Sequence, residues 1–599
     1  MKSMENLLLN KYKDRSPKDT VALVTEFFEK KGFQIKRQVF ETEIGTWTCR
    51  IEIFMNGLEI LGANGKGVTE DFALASGYSE LFERFCNRNN YINNPFFNRK
   101  AKELRPEYLY DKDEKILDPF TMISGVKILE EYYRDMLKTD EAIKEFFEIH
   151  YPEGARGVSF KHIGVDQELY LDPSIMLRVT GSNGMAAGNS EKEALNQGMS
   201  ELYERRGSVL FYAEPQSYYR AVDLSTITNE KYKHAVDTML NDDFDFVVLD
   251  LSYNFGIPVL AGILIDKIGL SCHINFSAFP VFDIAFERIL TEIYQGIDCM
   301  RRYCGTIQIP SKGNRASYIL NAYGNNYTEA AYISDELIRD KLEYFSYSEL
   351  SDNSKVFLPA QDKNNENIYN YYIQLSKSLG YDFYYHNFSL IDEMAAVYII
   401  APEMLSIEQI RRKNNQFASP LIVQGVNTYA KALLDLIDKT CELANNYNNL
   451  DFQKDLIDKW NIFSQLSSEE GILQHYGDLS LCGMETPVPD MTSGYSAILS
   501  PMMLLNGNTM GRIMVNEKSY LYPYQKLYAT VLAYKSQLYT TEEIQEVFKS
   551  LFNVEVNYDQ IDEMPQVIPT LLDCYFYPTT ALYNSDIYDN IVKAYIERG

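Results

Sequence analysis

The sequence predicts an α+β protein, in which a pseudo-symmetric domain built from a repeated sheet-plus-helix unit is followed by a mainly helical C-terminal domain. Three observations carry this. The segment Gly67 to Arg84 (GVTEDFALASGYSELFER) recurs 121 residues later as Gly188 to Arg205 (GNSEKEALNQGMSELYER), with ten of eighteen positions identical. Short alternating or β-branched apolar runs come in hairpin-like pairs ahead of helical segments, the order expected of antiparallel sheets with helices on one face. After about Gln424 the pattern changes to long polar-apolar helical stretches such as KALLDLIDKTCELANN.

Taken in order, Ser16-Pro17 as N-cap and first helical residue, with Gly32 after Lys31, brackets a first helix whose apolar face includes Val21, Val24 and Phe28. IEIFMNGLEIL (51–61) alternates around Asn56-Gly57, the signature of a two-residue hairpin. Gly-rich stretches, NGKG (64–67) and NGMAAGN (183–189), are read as loops opening the two copies of the repeat. Strands are expected at 169–172, 244–251, 258–266 and 271–278, the last leading into a third helix, FERILTEIYQG (286–296). Two more are expected at 383–389 and 395–403.

The repeated residues that bear chemistry are charged. At roughly 100° per residue, Ser76, Glu80 and Glu83 fall within about 60° of one another, and Glu193, Gln197, Glu201 and Glu204 within roughly 80°. Carboxylates at this spacing are neighbours that repel, and no local compensation is expected. A cation should therefore sit between the helices. Arg288, Glu292 and Gln295 share a stripe of the third helix. Three convergent helices with acid, amide and guanidinium groups suit a divalent metal and a phosphate, because Mg²⁺ takes carboxylate and phosphate oxygens while Arg and Lys pair with the remaining phosphate charge. A single ExxER is ordinarily a solvated helix face; duplication argues for a site. The P-loop pattern is absent, since Ile60 stands at its first Gly position and Gly67 follows Lys66.

These three segments, GKGVTEDFALASGYSELFER, SNGMAAGNSEKEALNQGMSELYERR and AFERILTEIYQG, resemble the hallmarks of the YcaO family, in family order and spacing, over residues 10 to about 420. The resemblance implies ATP and Mg²⁺ as cofactors, with metal positions at Glu80, Glu83, Glu201 and Glu204. It implies nucleotide contacts at Lys13, Thr20, Ser76, Asn189, Glu193, Arg205, Arg288 and Glu292. Thr20 replaces a serine of the relatives and keeps the hydroxyl; Ala186 replaces another and loses it, so it is not carried over. No catalytic residue is assigned. The implied chemistry is ATP-dependent phosphorylation of a peptide-backbone amide oxygen, followed by nucleophilic attack to give an azoline, thioamide or amidine. Azoline-forming members end in a Pro-rich tail, whereas this chain ends KAYIERG with no proline after Pro578. Stand-alone members without the tail are linked to ribosomal-protein β-methylthiolation by a radical-SAM enzyme, and an accessory role of that kind is the leading expectation. Peptide natural-product (RiPP) assembly is the alternative. ATP-dependent switching of a partner without chemistry is a third reading, which ADP production would separate from catalysis.

The expected partners are a peptide or protein substrate and a radical-SAM methylthiotransferase or sulfur-delivery protein, with a homodimer left open. A formal charge of −27 argues against direct nucleic-acid binding. No apolar run reaches the roughly eighteen residues of a membrane span, and MKSMENLLLNKYKDRS has too short an apolar core for a signal peptide, so a cytoplasmic protein is expected. Eight scattered cysteines without C-x-x-C and six dispersed histidines argue against zinc and disulfide scaffolds. Cys86, one turn past Glu83, is placed near the site without a paired base. The division expected is 1–424 for the ATP-binding domain and 425–599 for a helical domain that docks a partner, with a tetratricopeptide array considered although no 34-residue period is visible.

Overall fold

In the computed structural model the described residues are 12–56, 58–88, 95–106, 111, 114–213, 216–253, 255–266, 271–295, 342–351, 364–404 and 586–597, with isolated positions between 431 and 462. The α+β class is observed, built on three sheets. The chain enters through α1 (Pro17–Lys30), which Ser16 caps by accepting from Asp19 N at 3.2 Å. A three-stranded antiparallel sheet follows: β1 (Gln34–Glu41), β2 (Trp47–Met55) and β3 (Leu58–Gly67). Asn56, at φ 50°, turns the β2–β3 hairpin as expected. Helix α2 (Glu70–Cys86) lies on this sheet and carries the first copy of the repeat.

The second copy has the same logic. Strand β4 (Lys115–Leu117) pairs with β5 (Ala155–His162) over residues 155–157, and β6 (Glu168–Leu171) pairs with β5 over residues 158–161. The sheet then runs through two late strands to β7 (Met185–Gly188), which leads into α3 (Glu191–Ala213). A five-stranded sheet holds β8 (Tyr219–Asp223), β9 (Phe244–Asp250), β10 (Val259–Asp266) and β11 (Ser271–Ala278), the last followed by α4 (Phe282–Glu292). Strand β12 (Leu342–Ser346) adds to β8 in parallel, the one departure from antiparallel pairing among the described strands. Helix α5 (Asn365–Leu379) packs on α3, and β13 (Tyr384–Asn387) and β14 (Ala395–Ile400) are the late strands that complete the six-stranded sheet.

Of the two Gly-rich stretches read as loops, 64–67 is strand throughout and 183–189 is strand over Met185–Gly188, with turn before it and a bend after it. β3 extends to Gly67, which pairs with Trp47, and β7 includes Gly188, which pairs with Ala395. The reason is close approach: a Cβ on Gly67 would stand 2.5 Å from Ala73 N, and one on Gly188 would stand 2.4 Å from Ala194 N. Here glycine lets each helix turn straight back over the end of its own strand. Equivalent caps start both helices, since Thr69 Oγ1 accepts from Phe72 N at 3.3 Å and Ser190 Oγ from Glu193 N at 3.2 Å.

Each copy is anchored in its own apolar core. Helix α2 contributes Leu74, Leu81, Phe82 and Phe85 to a cluster with α1 and the first sheet, whereas α3 contributes Ala194, Leu195, Met199 and Tyr203 to a cluster with the five-stranded sheet and α5. Helix α6 (Asp586–Ile596) belongs to the first cluster. Its Tyr595 stacks on Phe85 with centroids 4.0 Å apart, and Lys31 Nζ donates to the carbonyls of Ala594 at 2.9 Å and Glu597 at 2.8 Å. The expected boundary at 424 and any tetratricopeptide array lie outside the described residues.

Candidate functional site

The strand-to-helix turns of the two copies face one cleft of about 310 Å³. Every residue expected to hold metal or nucleotide lines it: Lys13 and Thr20 from the N-terminal segment, Ser76, Glu80 and Glu83 from α2, Asn189, Glu193, Glu201, Glu204 and Arg205 from the second copy, and Arg288 and Glu292 from α4. Ala187, not Ala186, reaches the cleft; Ala186 is fully buried. Cys86 points away into the core, 1% exposed, and burial pushes its thiol up to about 12, so it offers no nucleophile.

The carboxylates are locally compensated, contrary to the expectation from spacing alone. Arg84 stands 3.5 Å from Glu80 and 3.9 Å from Glu83; Arg205 repeats this at 3.5 Å from Glu201 and 3.8 Å from Glu204. The arginine at the end of each ExxER is one residue and four residues from its two glutamates, which puts a guanidinium beside both. All four glutamates stay partly exposed to the cleft, between 15% and 28%. Glu201 also accepts from Gly184 N at 3.0 Å.

A second polar group centres on Glu193, 4% exposed. It accepts from Lys13 Nζ at 3.1 Å, Asp14 N at 2.9 Å and Asn189 Nδ2 at 3.2 Å, while Thr20 Oγ1 donates to Asn189 Oδ1 at 2.8 Å. A buried carboxylate held this fully keeps its orientation. Helix α4 joins the two copies. Arg288 donates to Ala278 O at 3.1 Å and to Gln197 Oε1 of α3, and its guanidinium lies over Phe279 at 4.9 Å. Gln295, just past the helix end, donates to Glu80 Oε2 at 3.4 Å and to Asn64 O at 3.3 Å.

Lys66 and Arg84 are among the charged lining residues, with Arg15 and Glu287, that the sequence did not assign to the site. Lys66 donates to Gln295 Oε1 at 3.2 Å and forms an ion pair with Glu292. Desolvation in the cleft pulls its ammonium down to about 8. The signal that could have found Arg84 is its identity with Arg205 in the repeat.

The donor set fits Mg²⁺ carried on a polyphosphate. Among the described residues no three His, Cys, Asp or Glu side chains gather into a ready-made metal cage, yet four partly exposed carboxylates from two helices border one cleft. Mg²⁺ is ordinarily held by one or two carboxylates plus phosphate oxygens and water rather than by an all-protein cage. Arg205, Arg288, Lys13 and Lys66 supply cations around the same space. No helix among the described residues is long and apolar enough to cross a membrane.

The chain is similar to known proteins of one family. The family model YcaO cyclodehydratase, described as ATP- and Mg²⁺-binding, matches residues 64–405. The ribosomal protein S12 methylthiotransferase accessory factor YcaO of Escherichia coli K12 is 26% identical over 309 residues, 47% of this chain and 49% of that protein. An uncharacterized protein of Haemophilus influenzae is 27% identical over 300 residues, with the same shares. The chain thus spans about half the length of the curated relatives it matches. Among solved structures, a heterocyclase in complex with substrate and cofactor aligns with a TM-score of 0.44 at 18% identity, covering 66% of this chain and 53% of its own. A YcaO from Methanopyrus kandleri bound with AMPPCP and Mg²⁺ aligns with a TM-score of 0.43 at 13% identity, covering 69% and 97%.

Proposed function

The chain belongs to the YcaO family, whose ATP and Mg²⁺ are its cofactors, and on that premise we propose that its cleft binds Mg-ATP and activates a backbone amide of a peptide or protein. The observation that carries this reading is the convergence of both ExxER copies and α4 on one cleft with four glutamates. Glu80, Glu83, Glu201 and Glu204 hold the metal ions that accompany the triphosphate. Lys13, Thr20, Ser76, Asn189, Glu193, Arg205, Arg288 and Glu292 contact the nucleotide. Bound Mg²⁺ supplies neutralisation of the phosphate charge.

The protein's own contribution is positioning and fixed charge. Arg205 and Arg288 present guanidinium groups to the phosphoryl group being transferred, and the rigid Glu193 group fixes the nucleotide against sliding. The substrate amide oxygen then bonds to the γ-phosphorus as the bond to ADP breaks. A nucleophile adds to the activated carbon, and the amide oxygen leaves with phosphate. This route needs a positioned substrate more than a protein nucleophile, which suits a cleft whose neighbouring cysteine is buried.

A role as accessory factor in ribosomal-protein methylthiolation is supported by the match to the Escherichia coli protein that carries that description. Thioamide, amidine or azoline formation in peptide natural-product assembly is the second reading, and a non-catalytic ATP switch the third. The residues beyond 424 are proposed to dock the partner. The deciding experiment places ¹⁸O in the target amide of a candidate substrate. Activation carries the label into released phosphate, whereas simple hydrolysis takes its oxygen from water. Unlabelled phosphate, released while the bound candidate stays unmodified, removes its amide activation and leaves the switch.

A further inference from the structure

The pseudo-symmetry of the cleft is broken at two charged positions: within the helices Phe72 stands opposite Glu193, and ahead of them a lysine stands opposite an alanine. The repeat that matches Gly67 with Gly188, Glu80 with Glu201 and Arg84 with Arg205 also matches Lys66 with Ala187, and both of these line the cleft from the ends of β3 and β7. One copy therefore presents an ammonium where the other presents a methyl group. No other part of the motif explains it: Lys66 lies on the strand ahead of the helix, outside the ion pairs that Arg84 and Arg205 make with their own glutamates.

The surroundings of Lys66 give its role. Its Nζ closes on Glu292 and donates to Gln295 Oε1 at 3.2 Å, and the same Gln295 amide donates to Glu80 Oε2 at 3.4 Å. About a quarter of the side chain is exposed, towards the cleft. An ammonium so placed is partly stripped of water and held by an acidic partner that is itself a proposed nucleotide contact. When a polyphosphate enters, Glu292 is engaged by the nucleotide and the released ammonium faces an anion of higher charge.

We infer that Lys66 is a transferable cation of the cleft, paired with Glu292 in the nucleotide-free chain and handed over to the triphosphate on binding. This rests on the Mg-ATP reading above. It makes Lys66 a nucleotide-binding residue and fixes which of the two near-equivalent copies receives the extra phosphate charge. It also gives the two binding partners opposite dependences on one side chain. The ammonium favours the polyphosphate but opposes a divalent metal arriving alone among the same carboxylates.

The test compares the full chain with Lys66→Met and Lys66→Arg, after circular dichroism and thermal melting show both variants folded. AMPPCP with Mg²⁺ is titrated by calorimetry, and Mn²⁺ alone is titrated by electron paramagnetic resonance. Lys66→Met is expected to bind AMPPCP about 10- to 100-fold more weakly, the scale of a lost charge-assisted hydrogen bond. The same variant should bind Mn²⁺ alone roughly five- to tenfold more tightly, because one positive charge has left the cleft. Lys66→Arg should keep AMPPCP affinity within about threefold, since the charge is retained. Wild-type AMPPCP affinity in Lys66→Met overturns the hand-over while leaving the Mg-ATP reading intact. Parallel weakening of AMPPCP and Mn²⁺ in Lys66→Met also overturns it, because that is the mark of a merely structural lysine. If the wild-type chain binds no AMPPCP, the functional reading itself fails and takes the hand-over with it.

Discussion

Arg84 and Arg205 make the acidic cleft tolerable before any ligand arrives, each standing beside two glutamates at 3.5–3.9 Å. That arrangement predicts how single glutamates behave. Glu83→Gln and Glu204→Gln keep the shape of the side chain and remove one metal-directed charge, so each should lower ATP turnover by at least about 100-fold while the far-UV spectrum stays unchanged. Phosphate release at the wild-type rate in both variants would return these residues to the status of a solvated helix face. The glutamates were legible in the sequence because duplication at fixed spacing is a local signal, and their helical direction follows from periodicity. The contact between Lys66 and Gln295 was not, for a physical reason. One sits on a strand and the other beyond a helix end, so only the packing of α4 against β3 brings them together.

At the level of elements, the two helices are seated on their strands by glycine, and the sequence reading mistook that seat for flexible loop. Gly-rich composition signals freedom, and here it serves contact: the hairpin, the three strands at 244–278 and the late strands are recovered, but β3 and β7 run further than their composition suggests. The helices between Pro119 and His150, and strands β1, β5 and β8, are elements for which no expectation was drawn from the sequence. The seat is testable. Gly67→Ala and Gly188→Ala each place a Cβ within 2.5 Å of helix backbone nitrogen, so each should cost about 1–3 kcal/mol of stability in denaturant unfolding. Each should also weaken Mg-AMPPCP binding, because lifting either helix moves its two glutamates together. A neutral effect on both measurements would mean that the helices can slide without penalty.

For the whole molecule, ligand linkage is the broadest check: ATP with Mg²⁺ should raise the melting temperature, by the equivalent of about 2.7 kcal/mol at a hundredfold excess over Kd, and EDTA should abolish the rise. An unchanged melting temperature at saturating ATP and Mg²⁺ would remove the basis of the site. Removing the chain after 424 should leave ATP binding, since the proposed contacts all precede residue 293, but it also removes α6. The 1–424 fragment should therefore melt below the full chain, and Tyr595→Ala in the full chain should cost roughly 3–5 kcal/mol, as for a large buried aromatic. Equal melting of fragment and full chain would show that α6 is dispensable to the core. The position of α6 has a consequence for how the protein is made. Lys31 and Ala594 are 563 residues apart in the chain, and at about 5–20 residues per second a ribosome takes roughly half a minute to two minutes to cover that distance. Throughout that interval Phe85, at the base of the first glutamate helix, lacks the stacking of Tyr595, so the nascent chain leaves that apolar surface open to chaperones until residues 586–596 emerge.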